Sequence, residues 1–198
     1  MEKDTADKII EAALPLFAKK GFVAVSIREI ADTAQVNSSA ISYYFKGKEG
    51  LYQAVLEKAF SPVQELLTTA NNMHHAKAME RLALYTKAVG MIHKERPYLA
   101  RFINSELANP TACGALVTKK HIYQLYQFIN SALADGVASG DFSSDLNLNY
   151  AAISLAGIMN FYFIATPLFK EFSTLSEHSG EDYTSQALRI YLDGIKVR

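Results

Sequence analysis

Ser26–Leu51 reads SIREIADTAQVNSSAISYYFKGKEGL, and the reading of this stretch decides the fold. Ser26 stands three residues before Glu29, the spacing of a capping box that opens a helix. Ile27, Ile30 and Ala31 then give one apolar face at helical spacing. Ala34-Gln35-Val36-Asn37 reads as a turn, and Asn37 or Ser38 can cap a second short helix that runs through Ile41 to Phe45. Lys46-Gly47-Lys48 breaks that helix, and Glu49 begins a longer one. Two short helices joined by a turn of three or four residues make a helix-turn-helix, the layout whose second helix enters the major groove of DNA.

Periodicity alone does not separate a DNA reader from a structural hairpin. The polar chemistry of the second helix does more. Ser38, Ser39, Ser42, Tyr43 and Tyr44 crowd it with hydroxyls, while Ile41 and Phe45 remain to hold it to its support. Serine hydroxyls suit base edges and phosphates. Tyrosine donates to phosphate while its ring packs on sugar or a thymine methyl.

These residues resemble the DNA-binding region of the TetR/AcrR family of bacterial transcription regulators. The matching features are Gly21-Phe22, Ser26-Ile27-Arg28-Glu29-Ile30-Ala31, Val36-Asn37-Ser38, Ile41, Tyr44-Phe45 and Lys48-Glu49-Gly50-Leu51, spread over about the first quarter of the chain. Two positions depart from the family pattern: Gln35 stands where the family usually has Gly, and Ser42 where it usually has Tyr. The resemblance implies DNA-binding roles for Ser26, Arg28, Ser38, Ser39, Ser42, Tyr43, Tyr44 and Lys48, with Tyr43 standing in for the contact missing at Ser42.

The 198 residues suffice for one or two domains with a sizeable core. Twenty basic and twenty acidic side chains give no net charge, so composition offers no sign of nucleic-acid binding. The first 51 residues are balanced too. Lys3, Lys8, Lys19, Lys20, Arg28, Lys46 and Lys48 stand against Glu2, Asp4, Asp7, Glu11, Glu29, Asp32 and Glu49, seven of each. Any positive face must come from placement. The single cysteine, Cys113, excludes an internal disulfide and makes a reducing cytoplasm the natural setting. There is no signal-peptide core. The longest apolar run, Tyr150 to Phe169, contains Ser154, Asn160, Thr166 and Pro167, and reads as a buried helix and not a membrane span.

In chain order, Asp4-Thr5 can cap a first helix carrying Ile9, Ile10, Ala13, Leu14, Phe17 and Ala18. Pro15 should kink it and Gly21 close it. A helix from Lys48 meets Pro62, which should bend or end it, and Asn71 to His75 reads as a loop. Further helices are expected over Ala78–Lys94, Tyr98–Leu107, Ala112–Ser139 with Thr111 as cap, Leu146–Ala165 with Asp145 as cap, and from Glu181 or Asp182 to Ile195. Ser173–Gly180 reads as a loop, and His74, His75, His93, His121 and His178 show no metal spacing. The expectation is an all-α protein of about nine helices. An N-terminal domain, 3–62, holds the helix-turn-helix at 26–45 and a linking helix from 48. A larger helical domain, 63–198, serves ligand binding and dimerisation.

The helix expected over 146–165 is apolar nearly all round, so it must be buried on several sides. With the last helix it suits a two-fold four-helix interface, which the resemblance also implies. Ala152, Ala156, Met159, Phe163, Ala187, Ile190 and Tyr191 are its candidate residues. Tyr85, Met91, Phe102, Tyr123, Tyr126, Met159 and Tyr162 can line a cavity, where the resemblance implies an apolar small molecule. Arg101 with Glu106, or His121, can supply a polar contact there. The sequence therefore reads as a cytoplasmic, homodimeric, sequence-specific regulator, acting as a repressor on a palindromic double-stranded operator. A small apolar or aromatic effector releases it, without a cofactor, a metal or a membrane. A ligand-independent DNA-organising protein of the same fold is the alternative. An enzyme is disfavoured, because no nucleophile–base pair, buried carboxylate pair or phosphate loop stands out.

Overall fold

The computed structural model describes residues 2–71, 75–172 and 179–197. His74, His178 and most of the loop expected over Ser173–Gly180 lie outside them. The described residues form nine α-helices and no strand: α1 Glu2–Ala24, α2 Ile27–Ala34, α3 Ser38–Phe45, α4 Lys48–Asn71, α5 Ala78–Glu95, α6 Leu99–Ala108, α7 Ala115–Ala138, α8 Leu148–Phe169 and α9 Ser179–Ile195. An isolated bridge joins Phe142 and Lys196. The chain divides into two compact units, Met1–Ser61 with Arg96–His121, and Pro62–Glu95 with Ile122–Arg198.

The first unit contains α1, α2, α3, the first part of α4, α6 and the start of α7. Ile9, Ala13 and Phe17 of α1 are buried, as are Ile30 and Ala31 of α2, Ile41 of α3, and Leu51, Tyr52, Val55 and Leu56 of α4. Tyr52 is an aromatic centre, its ring centroid 5.0 Å from Phe17, 4.9 Å from Phe22 and 6.3 Å from Phe102. Its hydroxyl donates to the buried Glu106 carboxylate at 2.7 Å. Glu106 also accepts from the Thr111 backbone N–H (3.1 Å) and hydroxyl (3.0 Å), so a carboxylate removed from water is fully engaged. Burial, then the Glu106 carboxylate, push the Tyr52 hydroxyl pKa far up. These bonds bring residues 96–121 to the first unit, beyond the 3–62 range read from the sequence.

The second unit packs α5 on α9 and α8, and α8 on α9. Its core includes Leu82, Tyr85, Ile129, Leu133, Leu155 and Met159. Tyr191 donates its hydroxyl to the Ala151 carbonyl at 2.9 Å, and Tyr183 to the Ile158 carbonyl at 2.6 Å, which fixes α9 against α8.

The helix expected to end at Ala165 runs past Pro167 to Phe169. Pro15, Pro62 and Pro167 all lie inside helices. In α1 the non-helical residue is Gly21 (φ 78°, ψ 166°), where L side chains are strained and glycine is not. Leu14 and Phe17 around Pro15, and Phe60 and Val63 around Pro62, remain buried, and that packing offsets the lost backbone donor. Asn147, not Asp145, caps α8 through the Tyr150 N–H at 3.1 Å. Thr111 accepts the Gly114 N–H at 2.9 Å, and α7 begins only at Ala115.

Candidate functional site

In the helix-turn-helix, local sequence chemistry sets the geometry. Ser26 Oγ accepts the Glu29 N–H at 3.1 Å. The Glu29 carboxylate is held by the Lys20 ammonium, which lowers its pKa. Gln35 ends α2 in the left-handed region at φ 56°, and the Val36 N–H returns to the Ala31 carbonyl at 3.0 Å. Asn37 caps α3, its Oδ1 accepting from the Ser39 N–H (2.9 Å) and the Ser39 hydroxyl (2.8 Å). Lys46 ends α3, again in the left-handed region at φ 61°. Gly50 is obligatory. A Cβ there would lie 1.9 Å from the Phe45 carbonyl oxygen, so the α3–α4 corner closes only on glycine.

The eight residues picked for DNA binding all lie on this head. Ser26, Arg28, Ser38, Ser39, Ser42 and Tyr43 are exposed, while Tyr44 and Lys48 are half-buried. Within α3 only Ile41 is fully buried, which leaves the hydroxyl-bearing face to solvent. Tyr43, 73% exposed, meets Tyr44 edge to face at 4.9 Å, so the inner ring braces the outer. Lys48 donates to the Val23 carbonyl at 3.2 Å and lies 4.6 Å from the Phe22 ring centroid. One of its three donors is thereby used, and the ammonium is fixed at the start of α4. Sequence reasoning missed Gly50 as a geometric requirement; its spacing to Phe45 was the available signal.

The other two residue sets are arranged differently from the expectation. Of the seven cavity candidates, Tyr85 and Met159 are buried in the second unit and Phe102 is buried in the first. Met91 and Tyr123 are exposed at 47% and 58%. Tyr126 bonds Asn149, and Tyr162 stacks on Tyr183 at 4.3 Å. The structure does not gather these seven around one space. Among the described residues, Met91 borders a groove of about 670 Å³ between α5 and α9, and Tyr123 a separate pocket of about 620 Å³. The suggested polar contacts also lie elsewhere. Glu106 is engaged by Tyr52 and Thr111, Arg101 is exposed, and His121 bonds Glu57 at 2.7 Å and stacks on Phe60 at 4.7 Å.

The dimer set needs rephasing. Ala152, Met159, Ala187 and Tyr191 are buried within the single chain, and Phe163 stacks on His93 at 4.2 Å. Ala156 is half-buried, and Ile190 alone of the seven is exposed. Within the single chain α8 leaves one stripe exposed. Its exposed stripe is Ile153, Gly157 and Phe161, rotated about a hundred degrees from the residues chosen, because an all-apolar helix gives periodicity no phase. Gly157 and Gly194 have open space at their Cβ positions although both sit in helices. By length and composition alone α8 could also cross a membrane, a test that core helices of soluble proteins pass as well.

A buried polar group was missed in the same unit. His93 Nε2 lies 3.0 Å from Asn160 Oδ1, and the Asn160 amide N–H donates to the Ala156 carbonyl at 2.9 Å. That chain makes Nε2 the protonated nitrogen and leaves the buried Nδ1 without a hydrogen-bond partner among the described residues. Burial lowers the His93 pKa, against the raising effect of Asn160.

A family model described as bacterial regulatory proteins, tetR family, matches residues 9–55. The chain is 36% identical over 132 residues to a protein of Bacillus subtilis (strain 168) described as a probable HTH-type transcriptional regulator, YttP. That match covers 63% of this chain and 64% of the relative, so the chain spans just under two thirds of that protein's length. Among solved structures, the hemolysin II transcriptional regulator HlyIIR is similar with a TM-score of 0.74, 24% identity and full coverage of both chains. The Bacillus subtilis regulator FadR in complex with stearoyl-CoA is similar with a TM-score of 0.77 and 20% identity, covering 95% of this chain and 98% of that one. At these identities the structural likenesses concern the fold.

Proposed function

Since this chain belongs to the tetR family of bacterial regulatory proteins, we propose that it is a cytoplasmic, sequence-specific DNA-binding transcription regulator that works as a homodimer and answers to a small-molecule effector. Repression is the proposed output, and no catalytic role is assigned. The N-terminal residues, 3–62, act as the DNA-binding domain, and 63–198 serve effector binding and dimerisation. The observation that carries the reading is α3. It buries Ile41 alone and turns Ser38, Ser39, Ser42 and the braced Tyr43 outward behind a cap that leaves its N-terminal end open.

Ser38 and Ser39 stand at the end of α3 that reaches base edges first, and Tyr43 and Tyr44 grip backbone or thymine methyls. Arg28 reaches a base or phosphate from α2, and Ser26 lies beside it. Lys48 holds a phosphate at the positive start of α4. For a dimer the operator is a near-palindrome with half-sites about 34–36 Å apart, or a multiple of that. The exposed stripe of Ile153, Gly157 and Phe161 on α8, with Ile190 and Gly194 on α9, is the proposed dimer face, where open glycines admit close helix approach. The second unit takes a small apolar or aromatic effector in this reading, and a structural relative in complex with stearoyl-CoA, whose acyl chain is apolar, supports the apolar part of it. The effector can release DNA only through different affinities for two head spacings.

The salt dependence of binding to duplex DNA tests the phosphate contacts. Lys48→Ala should weaken binding on every sequence alike and reduce the salt slope by about one unit. An unchanged slope would remove Lys48 from the backbone contacts.

A further inference from the structure

The pocket bordered by Tyr123 lies within the second unit, among the end of α4, the start of α5 and the middle of α7, with a volume of about 620 Å³. That is the size of an ordinary small-molecule site, roughly 300–1,000 Å³. Its chemistry is unlike the usual mostly apolar site. Of its eleven lining residues only Leu67, Ala70 and Phe128 lack a polar side chain, which leaves eight that have one.

The polar groups are arranged, and they hold one another. Gln64 of α4 donates its amide N–H to Gln124 Oε1 of α7 at 2.9 Å. Arg81 of α5 is ion-paired with Asp135 of α7, and its second guanidinium nitrogen donates to Ser131 Oγ at 3.1 Å. The guanidinium carbon lies 5.4 Å from the Phe128 ring centroid. The Arg81 side chain is only 14% exposed, while Asp135 is 64% exposed. Three helices thus present a guanidinium, a carboxylate and amides, each planar and in part fixed before any ligand arrives. The charges are one of each sign and already paired, so the pocket offers no net charge to a ligand.

We infer that this pocket binds a small, neutral, polyhydroxylated molecule, a sugar or cyclic polyol. Vicinal hydroxyls both donate and accept, and a planar guanidinium, carboxylate or amide can engage two of them at once. A carboxylate ligand would meet Asp135, and an apolar one would strip water from the amides without replacing it. The exposed Tyr123 ring supplies a flat apolar face for the C–H groups of a pyranose. The inference goes beyond the apolar effector reading, and Tyr123 is the one residue this pocket shares with the cavity candidates read from the sequence. Binding is measured without DNA, so a failure of the regulator reading leaves it standing.

Saturation-transfer NMR and calorimetry on the full chain test it. The probes are methyl β-glucopyranoside, methyl β-galactopyranoside and myo-inositol, with gluconate as the charged and decanoate as the apolar comparison. At least one neutral probe should bind saturably, with a Kd of about 10 mM or tighter. Gln124→Leu and the solvent-facing Gln127→Leu should each weaken it about tenfold at unchanged far-UV circular dichroism. Gln127 makes no bond across the helices among those described above, so its variant folds even if Gln124→Leu does not. The inference is overturned if no neutral probe saturates up to about 50 mM, if the folded variants bind undiminished, or if gluconate or decanoate displaces the neutral probe from this pocket.

Discussion

The helix-turn-helix head and the α5–α8–α9 bundle are built by different means. In the head, α2 and α3 are eight residues each, and their shape is set by side chains bonding to nearby backbone: Ser26 to Glu29, Asn37 to Ser39. In the bundle, helices of 17 to 22 residues are held by apolar contact and by tyrosine hydroxyls reaching distant carbonyls. Short helices are marginal alone and depend on caps and corners, whereas long ones depend on the face they bury. The same substitution should therefore have opposite consequences in the two places.

Glycine gives the largest contrast. Gly50→Ala sets a Cβ against the Phe45 carbonyl and should cost about 3 kcal/mol, the upper part of the range for overpacking, read as a lower urea midpoint. Gly157→Ala meets nothing within 4 Å and should leave the single chain's stability equal or higher by up to about 1 kcal/mol from helix propensity. Equal losses at both sites would erase the distinction. A larger side chain separates packing from assembly: Gly157→Leu should keep the fold and weaken self-association about tenfold by sedimentation, or about 1.4 kcal/mol. An unchanged dimer would move the interface off α8.

Gln35→Gly sharpens the comparison from the head's side. The left-handed backbone at φ 56° strains Gln, and its relief should raise the melting temperature by the equivalent of about 1 kcal/mol, with DNA affinity unaltered. The smallest effect separates the two regions by pH. His93 in the bundle has a lowered folded pKa, so the unfolded chain binds the extra proton first. Stability should fall as pH drops below the unfolded value of 6.5, and His93→Phe should flatten that limb. In the head, burial raises the Glu57 pKa, but the bond and charge of His121, then Lys120, outweigh it and leave it lowered. The Glu57 contribution is present above the unfolded value of 4.5 and is lost only below it, as pH falls through the still lower folded pKa.

The same division explains what could be read from the chain. Helix number and order, the capping box and the Asn37 cap were legible, because each is written within a few residues. The end of α8 was read at Ala165, before Pro167, although the helix runs on to Phe169. The face of α8 was not legible either. Leu155 and Met159 are buried while Ile153 and Phe161 are exposed, and all four are apolar. The Tyr52–Glu106 and His93–Asn160 bonds span 54 and 67 residues, beyond any local pattern. The proposed DNA-facing hydroxyls stood out because Ser38, Ser39, Ser42, Tyr43 and Tyr44 crowd one short helix. The cavity residues did not, because aromatic side chains at helical spacing mostly pack.

The most direct measurement of the central claim is selection of bound sites from random duplex DNA by the full chain. An enriched near-palindrome should emerge, with half-sites about one helical turn or a multiple apart, and Ser38→Ala and Tyr43→Ala should change the preferred bases or weaken the selection. Recovery of unenriched sequence would contradict a sequence-specific regulator, and an enriched motif that survives both substitutions unchanged would contradict the assignment of α3 as its reading surface.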